Sequence, residues 1–228
     1  MPGTPGHFFA PNEWKAGENM QHILCYGDSN TWGLVPGEEN RYPWGIRWTS
    51  ILQERFKDRV HVIEEGLCGR TTIFEDIYRT DRNGLRTLPL ILESHSPLDA
   101  AILMLGTNDC KSHYNNCAFK IAKGLGQCVD LLLEKIPAEK ILILSPIHLG
   151  KDVWKEEYDP EFNTKSVEIS GQLEKEYQKI AIKKGVHFLA ASDYAKASER
   201  DNEHMDEKGH AALAEAIFEE ISRIGILS

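Results

Sequence analysis

Five near-continuous apolar runs, at 21–26, 60–65, 98–105, 140–144 and 186–190, predict five β-strands. They show little of the in-out alternation of a half-exposed strand, so they read as strands covered on both faces. Between them, apolar residues return at helical spacing. Trp44, Trp48, Ile51 and Leu52 form one such stripe, and Leu85, Leu88 and Leu92 follow an Asn-Gly turn. Ile121, Leu125, Cys128, Leu132 and Ile136 mark a long helix, and Ile169, Leu173, Tyr177 and Ile180 mark another. The last stripe holds Leu213, Ile217, Ile221 and Ile224, with Asp206 placed to cap its start; His210 lies on this stripe and reads as a packing residue.

Strand and helix alternate along the whole chain. This predicts a parallel sheet with helices on both faces, joined by right-handed crossovers. Ligands of such sheets bind beyond the carboxyl ends of the strands, near the point where strand order reverses. The residues that follow strands are therefore the ones to examine: Ser29, Gly69, Asn108, the stretch from Ser145 to His148, and the loop with Asp201 and His204.

Composition narrows the classes. A chain of 228 residues fits one α/β domain, here 21–228, preceded by a flexible tail at 1–20 that holds three prolines and three glycines. Met20 stands directly before the first strand and is an alternative start. A net charge of −9 disfavours nucleic acid or an anionic membrane surface as partner. No stretch approaches the ~20 apolar residues that span a bilayer. The five cysteines form no C-x-x-C pair and read as reduced core thiols of a cytoplasmic protein. No H-E-x-x-H or clustered Cys/His set suggests a metal, and no cofactor is expected.

The candidate chemistry centres on Ser29. A serine is a weak nucleophile until a histidine takes its proton, and that histidine needs an acid to fix its tautomer. Asp201-Asn202-Glu203-His204 offers both in one turn, although a solvated loop reads the same way. Donors for a developing oxyanion come from two stretches. Gly106-Thr107-Asn108-Asp109 supplies an amide side chain, and Gly66 to Thr72 holds two glycines that let a backbone N–H face a ligand. Each also has a plain structural reading, as an Asn-Asp turn and a glycine-rich βα loop.

Taken in order, the stretches Gly27-Asp28-Ser29-Asn30-Thr31-Trp32-Gly33, Glu65 to Thr72, Gly106 to Asp109 and Asp201 to His204 resemble the SGNH (GDSL) hydrolase superfamily, and within it the bacterial arylesterase and acyltransferase branch. The resemblance spans about 21–224. It implies a three-layer α/β/α sandwich with the five-stranded parallel sheet in flavodoxin-like order. It implies Ser29 as nucleophile, His204 as base and Asp201 as acid. The backbone N–H groups of Ser29 and Gly69 and the side chain of Asn108 would form the oxyanion hole. Asn30 replaces the leucine of the GDSL name, and Asn202-Glu203 replaces the usual Gly-x before the histidine; Asp206 and Glu203 are the alternative acids. Thr31 occupies the last glycine position of G-x-S-x-G, which argues against the nucleophile elbow of α/β-hydrolases.

The implied function is a serine esterase that hydrolyses, or transfers, short acyl groups of aryl, alkyl or sugar esters. The partner is a small-molecule ester, and the branch implies a homo-oligomer. Trp32, His148 and Trp154 are candidate substrate-binding residues, and the segment 150–164 is a candidate pocket wall or oligomer contact. Activity is expected to fall as His204 protonates, near ~6.5 for an unperturbed imidazole. Two other readings are a thioesterase or lysophospholipase with the same triad, and a non-catalytic flavodoxin-like module whose GDSNT loop holds phosphate.

Overall fold

The computed structural model describes residues 20–227; the predicted tail, apart from the exposed Met20, lies outside the described residues. Five strands, β1 (Gln21–Gly27), β2 (Val60–Gly66), β3 (Ala100–Met104), β4 (Ile141–Ser145) and β5 (His187–Ala190), pair in parallel in the order β2-β1-β3-β4-β5. The chain moves one way from β1 to β2 and then the other way to β3. The order therefore reverses around β1, and the loops after β1 and β3 open at the switch point. Gly27, at the end of β1, is level with Gly66 of β2 and Met104 of β3, which brings the loops that follow all three strands to one rim.

β1 shows how the runs bury both faces. Leu24 and Tyr26 enter the core shared with α3 (Gly84–His95), α4 (Ala118–Leu133) and α5 (Thr164–Lys184). Ile23 and Cys25 enter the opposite core, with α2 (Trp48–Phe56) and α6 (Glu207–Ile224). Alternate residues thus serve alternate layers, and neither face is left polar. A short helix, α1 (Ser29–Trp32), follows β1.

The predicted strands are present with ends displaced by a residue or two. The third strand pairs over fewer residues than 98–105, and Lys140 falls in a 3₁₀ turn before β4, where its ammonium donates to the carbonyls of Gly225 and Ile226 at 3.0 and 2.5 Å. Trp44 is not part of α2. A turn through Pro43 and Gly45 (φ 86°) separates it from the helix, and its ring is exposed beside the Arg47 guanidinium. Asp206 caps α6 by accepting from Gly209 N–H at 2.8 Å. His210 packs as expected: it is fully buried, accepts from Trp48 N–H at 3.3 Å, and burial pushes its imidazole down to about 4. The cysteines are unpaired; Cys25, Cys110 and Cys128 are buried, but Cys117 is exposed and Cys68 lies half-buried, so not all five are core thiols. No described helix is long and apolar enough to cross a membrane.

Candidate active site

Ser29 sits at the first turn of α1 because the chain must bend sharply as β1 ends. Asp28 caps that turn, with one carboxylate oxygen accepting from Asn30 N–H at 3.0 Å. Gly27 allows the bend: a Cβ there would lie 2.0 Å from the Thr31 hydroxyl and 2.8 Å from the Met104 carbonyl. Asp28 is buried, which lifts its carboxyl to about 6. It supports the turn.

The loop before α6 carries His204 to this serine. Nε2 of His204 is 2.8 Å from Oγ of Ser29, and Nδ1 is 2.7 Å from Oδ2 of Asp201. These partners assign the tautomer: Nδ1–H donates to Asp201, and Nε2 accepts from the serine. The other Asp201 oxygen accepts from the backbone N–H groups of Glu203 and His204, both at 3.0 Å, and Oδ2 also receives Gly37 N–H at 3.0 Å. The departure from Gly-x is absorbed without loss of the turn. Asn202 takes φ 61°, a left-handed conformation that glycine favours and asparagine tolerates. Neither alternative acid replaces Asp201, since Asp206 is committed to its helix cap and Glu203 lies on the other side of the ring.

Asn30, where the GDSL pattern has leucine, ties the two loops together. Its Oδ1 accepts from Met205 N–H at 3.0 Å and its Nδ2 donates to the Glu203 carbonyl at 3.3 Å. One side chain on the serine's helix thereby brackets the histidine on both sides.

Two further loops complete the rim. After β2, Gly69 turns with φ 83°, and its backbone N–H has no acceptor among the described residues. After β3, Asn108 donates from Nδ2 to the Arg70 carbonyl at 3.2 Å, which fixes the plane of its amide. Arg70 is buried and holds these loops to β1. Its Nη1 donates to the Gly27 carbonyl at 2.7 Å and to the Glu65 carbonyl, and its guanidinium lies 4.0 Å from the Tyr26 ring centre. Asp109 adds a second tie, accepting from Thr72 N–H and from its hydroxyl. Ser29, Gly69, Asn108, Asp201 and His204 all line one cleft of about 300 Å³.

Opposed effects set the ionisation of this cluster. Burial pushes the His204 imidazole down, but the Glu203 charge and the hydrogen bond and charge of Asp201 outweigh it and lift it to about 9. Burial likewise raises Asp201, and the hydrogen bond from His204 leads the forces that bring it below the usual carboxylate range. Burial raises Glu203 against the pull of His204.

The three predicted substrate contacts do not reach the cleft. Trp32 lies beside Arg41, whose guanidinium is 5.4 Å from its ring centre. His148 is exposed, and Trp154 is exposed with its indole N–H bonded to the Lys151 carbonyl at 3.0 Å. The segment 150–164 does form a wall, through Tyr158, Asp159 and Glu161, while Val153 and Phe162 anchor it in the core. Lys111, which follows Asn108, is buried and ion-paired to Glu161, with Asp159 at 3.7 Å. Arg79 lines the cleft and is held by Asp76 at 3.0 Å. Sequence reasoning missed Arg79 and Lys111, which follow motifs but belong to none.

Residues 25–212 match the GDSL-like lipase/acylhydrolase family. A carbohydrate acetylesterase from Sinorhizobium meliloti is 35% identical and superposes with a TM-score of 0.82, covering 90% of this chain and 99% of that one. The native aryl esterase of M. smegmatis is 32% identical, also with a TM-score of 0.82 and the same coverage of 90% and 99%. A lipolytic G-D-S-L protein from Veillonella parvula, 17% identical with a TM-score of 0.66 over 89% of this chain and 99% of that one, shares the fold alone. No curated protein matches the chain.

Proposed function

The chain belongs to the GDSL-like lipase/acylhydrolase family and is a carboxylic ester hydrolase; we propose that it works through Ser29, His204 and Asp201 on short-acyl esters of polar alcohols. The observation that carries the reading is the unbroken chain from Ser29 Oγ through the His204 ring to Asp201, with links of 2.8 and 2.7 Å. Nε2 takes the serine proton as Oγ bonds to the acyl carbon. Negative charge moves to the carbonyl oxygen, where the N–H groups of Ser29 and Gly69 and the Asn108 amide receive it. The imidazolium then gives its proton to the departing alkoxide as the ester C–O bond breaks. Water, or a second alcohol, repeats the sequence in reverse and releases the acyl group.

The lining of the cleft supports the substrate class. Glu38, Arg79, Lys111, Asp159 and Glu161 crowd its walls, and Leu34, Cys68 and Tyr158 are its main carbon-rich surfaces. A long acyl chain needs a continuous apolar trench to leave water. An acetyl or propionyl group on a sugar or other hydroxylated alcohol does not.

The test has two arms. Fluorophosphonate should label the wild type and fail to label Ser29→Ala. Nitrophenyl esters from acetate to octanoate, with acetylated xylose, an acyl thioester and a lysolipid, should show turnover falling steeply beyond butyrate and acetate release from the sugar. Preference for the lysolipid or octanoate would overturn the substrate class, and labelling of Ser29→Ala would overturn the nucleophile.

A further inference from the structure

The imidazole of His204 has carboxylates at both nitrogens. Asp201 holds Nδ1 by a hydrogen bond. On the other side, Oε1 of Glu203 lies 3.8 Å from Nε2, the nitrogen that faces Ser29. That separation is too long for a hydrogen bond and short for two charges. The Glu203 side chain is 9% exposed, lines the cleft, and accepts no hydrogen bond among the described residues. Its backbone is fixed at both ends, by Asp201 at the N–H and by Asn30 at the carbonyl, which sets the point from which the side chain reaches the ring.

We propose that Glu203 is a positioning residue for the base, an anion facing the proton-exchanging nitrogen, and that it moves the enzyme's working range to alkaline pH. The inference rests on His204 acting as the base. A base must be neutral to take the serine proton, and a carboxylate this near favours the imidazolium instead. The other charges around the pair do not cancel it. Asp201 on the same loop and Asp28 at the cap of α1 both add negative charge near the ring, and His210 on α6 is held neutral. Lys111 is the cation facing Glu203, but it is already matched by Glu161 and Asp159. Glu38 and Arg79, the remaining charged groups of the cleft, have their own partners in Arg200 and Asp76. The displacement of the imidazole to about 9 agrees with this arrangement.

The experiment compares wild type, Glu203→Gln and Glu203→Asp. One readout is kcat/KM for nitrophenyl acetate from pH 5 to 10, and the other is the His204 ring titration followed by NMR. In wild type both midpoints should lie well above the ordinary imidazole value. Glu203→Gln should lower both by at least about one pH unit, which makes it about tenfold more active at neutral pH relative to its own alkaline plateau. Glu203→Asp should fall between. Glu203→Leu is a second uncharged variant should the amide not fold. Equal midpoints in wild type and the uncharged variant would overturn the proposal. A moved ring titration in a protein that cleaves no ester would overturn the catalytic reading, and the working-range claim with it, while keeping the charge effect of Glu203 on the ring.

Discussion

Asp109 and Thr72 join the loops that follow β3 and β2: the Thr72 backbone N–H lies 3.0 Å from both carboxylate oxygens of Asp109, and the Thr72 hydroxyl bonds one of them. The two loops carry Asn108 and Gly69, so this contact fixes the spacing of the two proposed oxyanion donors on these loops. Asp109 is fully buried, and burial lifts its carboxyl to about 7. An aspartate whose folded value is raised binds its proton more tightly when folded, so this site favours folding at acid pH and loses that contribution as pH rises from about 4 through about 7. Asp109→Asn should therefore gain stability relative to wild type over that interval, with the gap level above it. Asp109→Ala, which orphans the Thr72 N–H, should lose about 1–3 kcal/mol. Urea unfolding of the three proteins at several pH values is the check; a pH-independent gap between wild type and Asp109→Asn contradicts it.

Asn30 should matter more than a residue one place from a nucleophile usually does. Asn30→Leu restores the family's namesake letter but removes the acceptor of the buried Met205 N–H, at a cost of about 1–3 kcal/mol. It also frees the loop that carries His204. The expected result is a lower melting temperature together with a fall in kcat at nearly constant KM. Unchanged kcat in a protein that melts early would reduce Asn30 to a purely structural role.

The proposed oxyanion donors predict two different failures. Asn108→Ala removes one donor and should cost about 10²–10³ in kcat, with little change in KM. Gly69→Ala keeps its N–H but must move it. A Cβ there would lie 2.4 Å from the Arg79 guanidinium, on a residue that already needs φ 83°. Loss of kcat in both variants, with Arg79→Ala partly rescuing Gly69→Ala, is expected from steady-state kinetics. No rescue would mean that backbone conformation, not the clash, is the obstacle.

Asp201→Asn tests the tautomer. An asparagine here can donate to Nδ1, which would place the proton on Nε2 and turn the base away from Ser29. A fall of about 10⁴ in kcat is expected from the same logic in other serine hydrolases. A loss below tenfold would show that Asp201 does not hold the ring in its working form.

The sequence made the scaffold readable because its signals are local. Apolar runs and helical stripes mark elements, and short motifs mark the strand ends where Ser29, Gly69, Asn108 and His204 appear. Trp44 was misplaced because its periodic spacing continues that of α2, while the Pro43–Gly45 turn that cuts it off is a backbone effect. Trp32, His148 and Trp154 are candidates by residue type and by their place after a strand or in the segment 150–164, and type does not say which way a side chain points. The bonds from Asp109 to Thr72, Arg70 to Gly27 and Lys111 to Glu161 span 37 to 50 residues of sequence, beyond any spacing rule.

Lys111 fastens the segment 150–164 to the rim by its pairing with Glu161. None of the groups that would make or break bonds belongs to that segment. On the proposed function, chemistry and taste are thus carried on separate parts: the strand ends hold the reactive groups, and the tethered segment walls the space where the alcohol would sit. On that reading, exchanging the segment between relatives should change the alcohol preference while the reactive groups stay as they are.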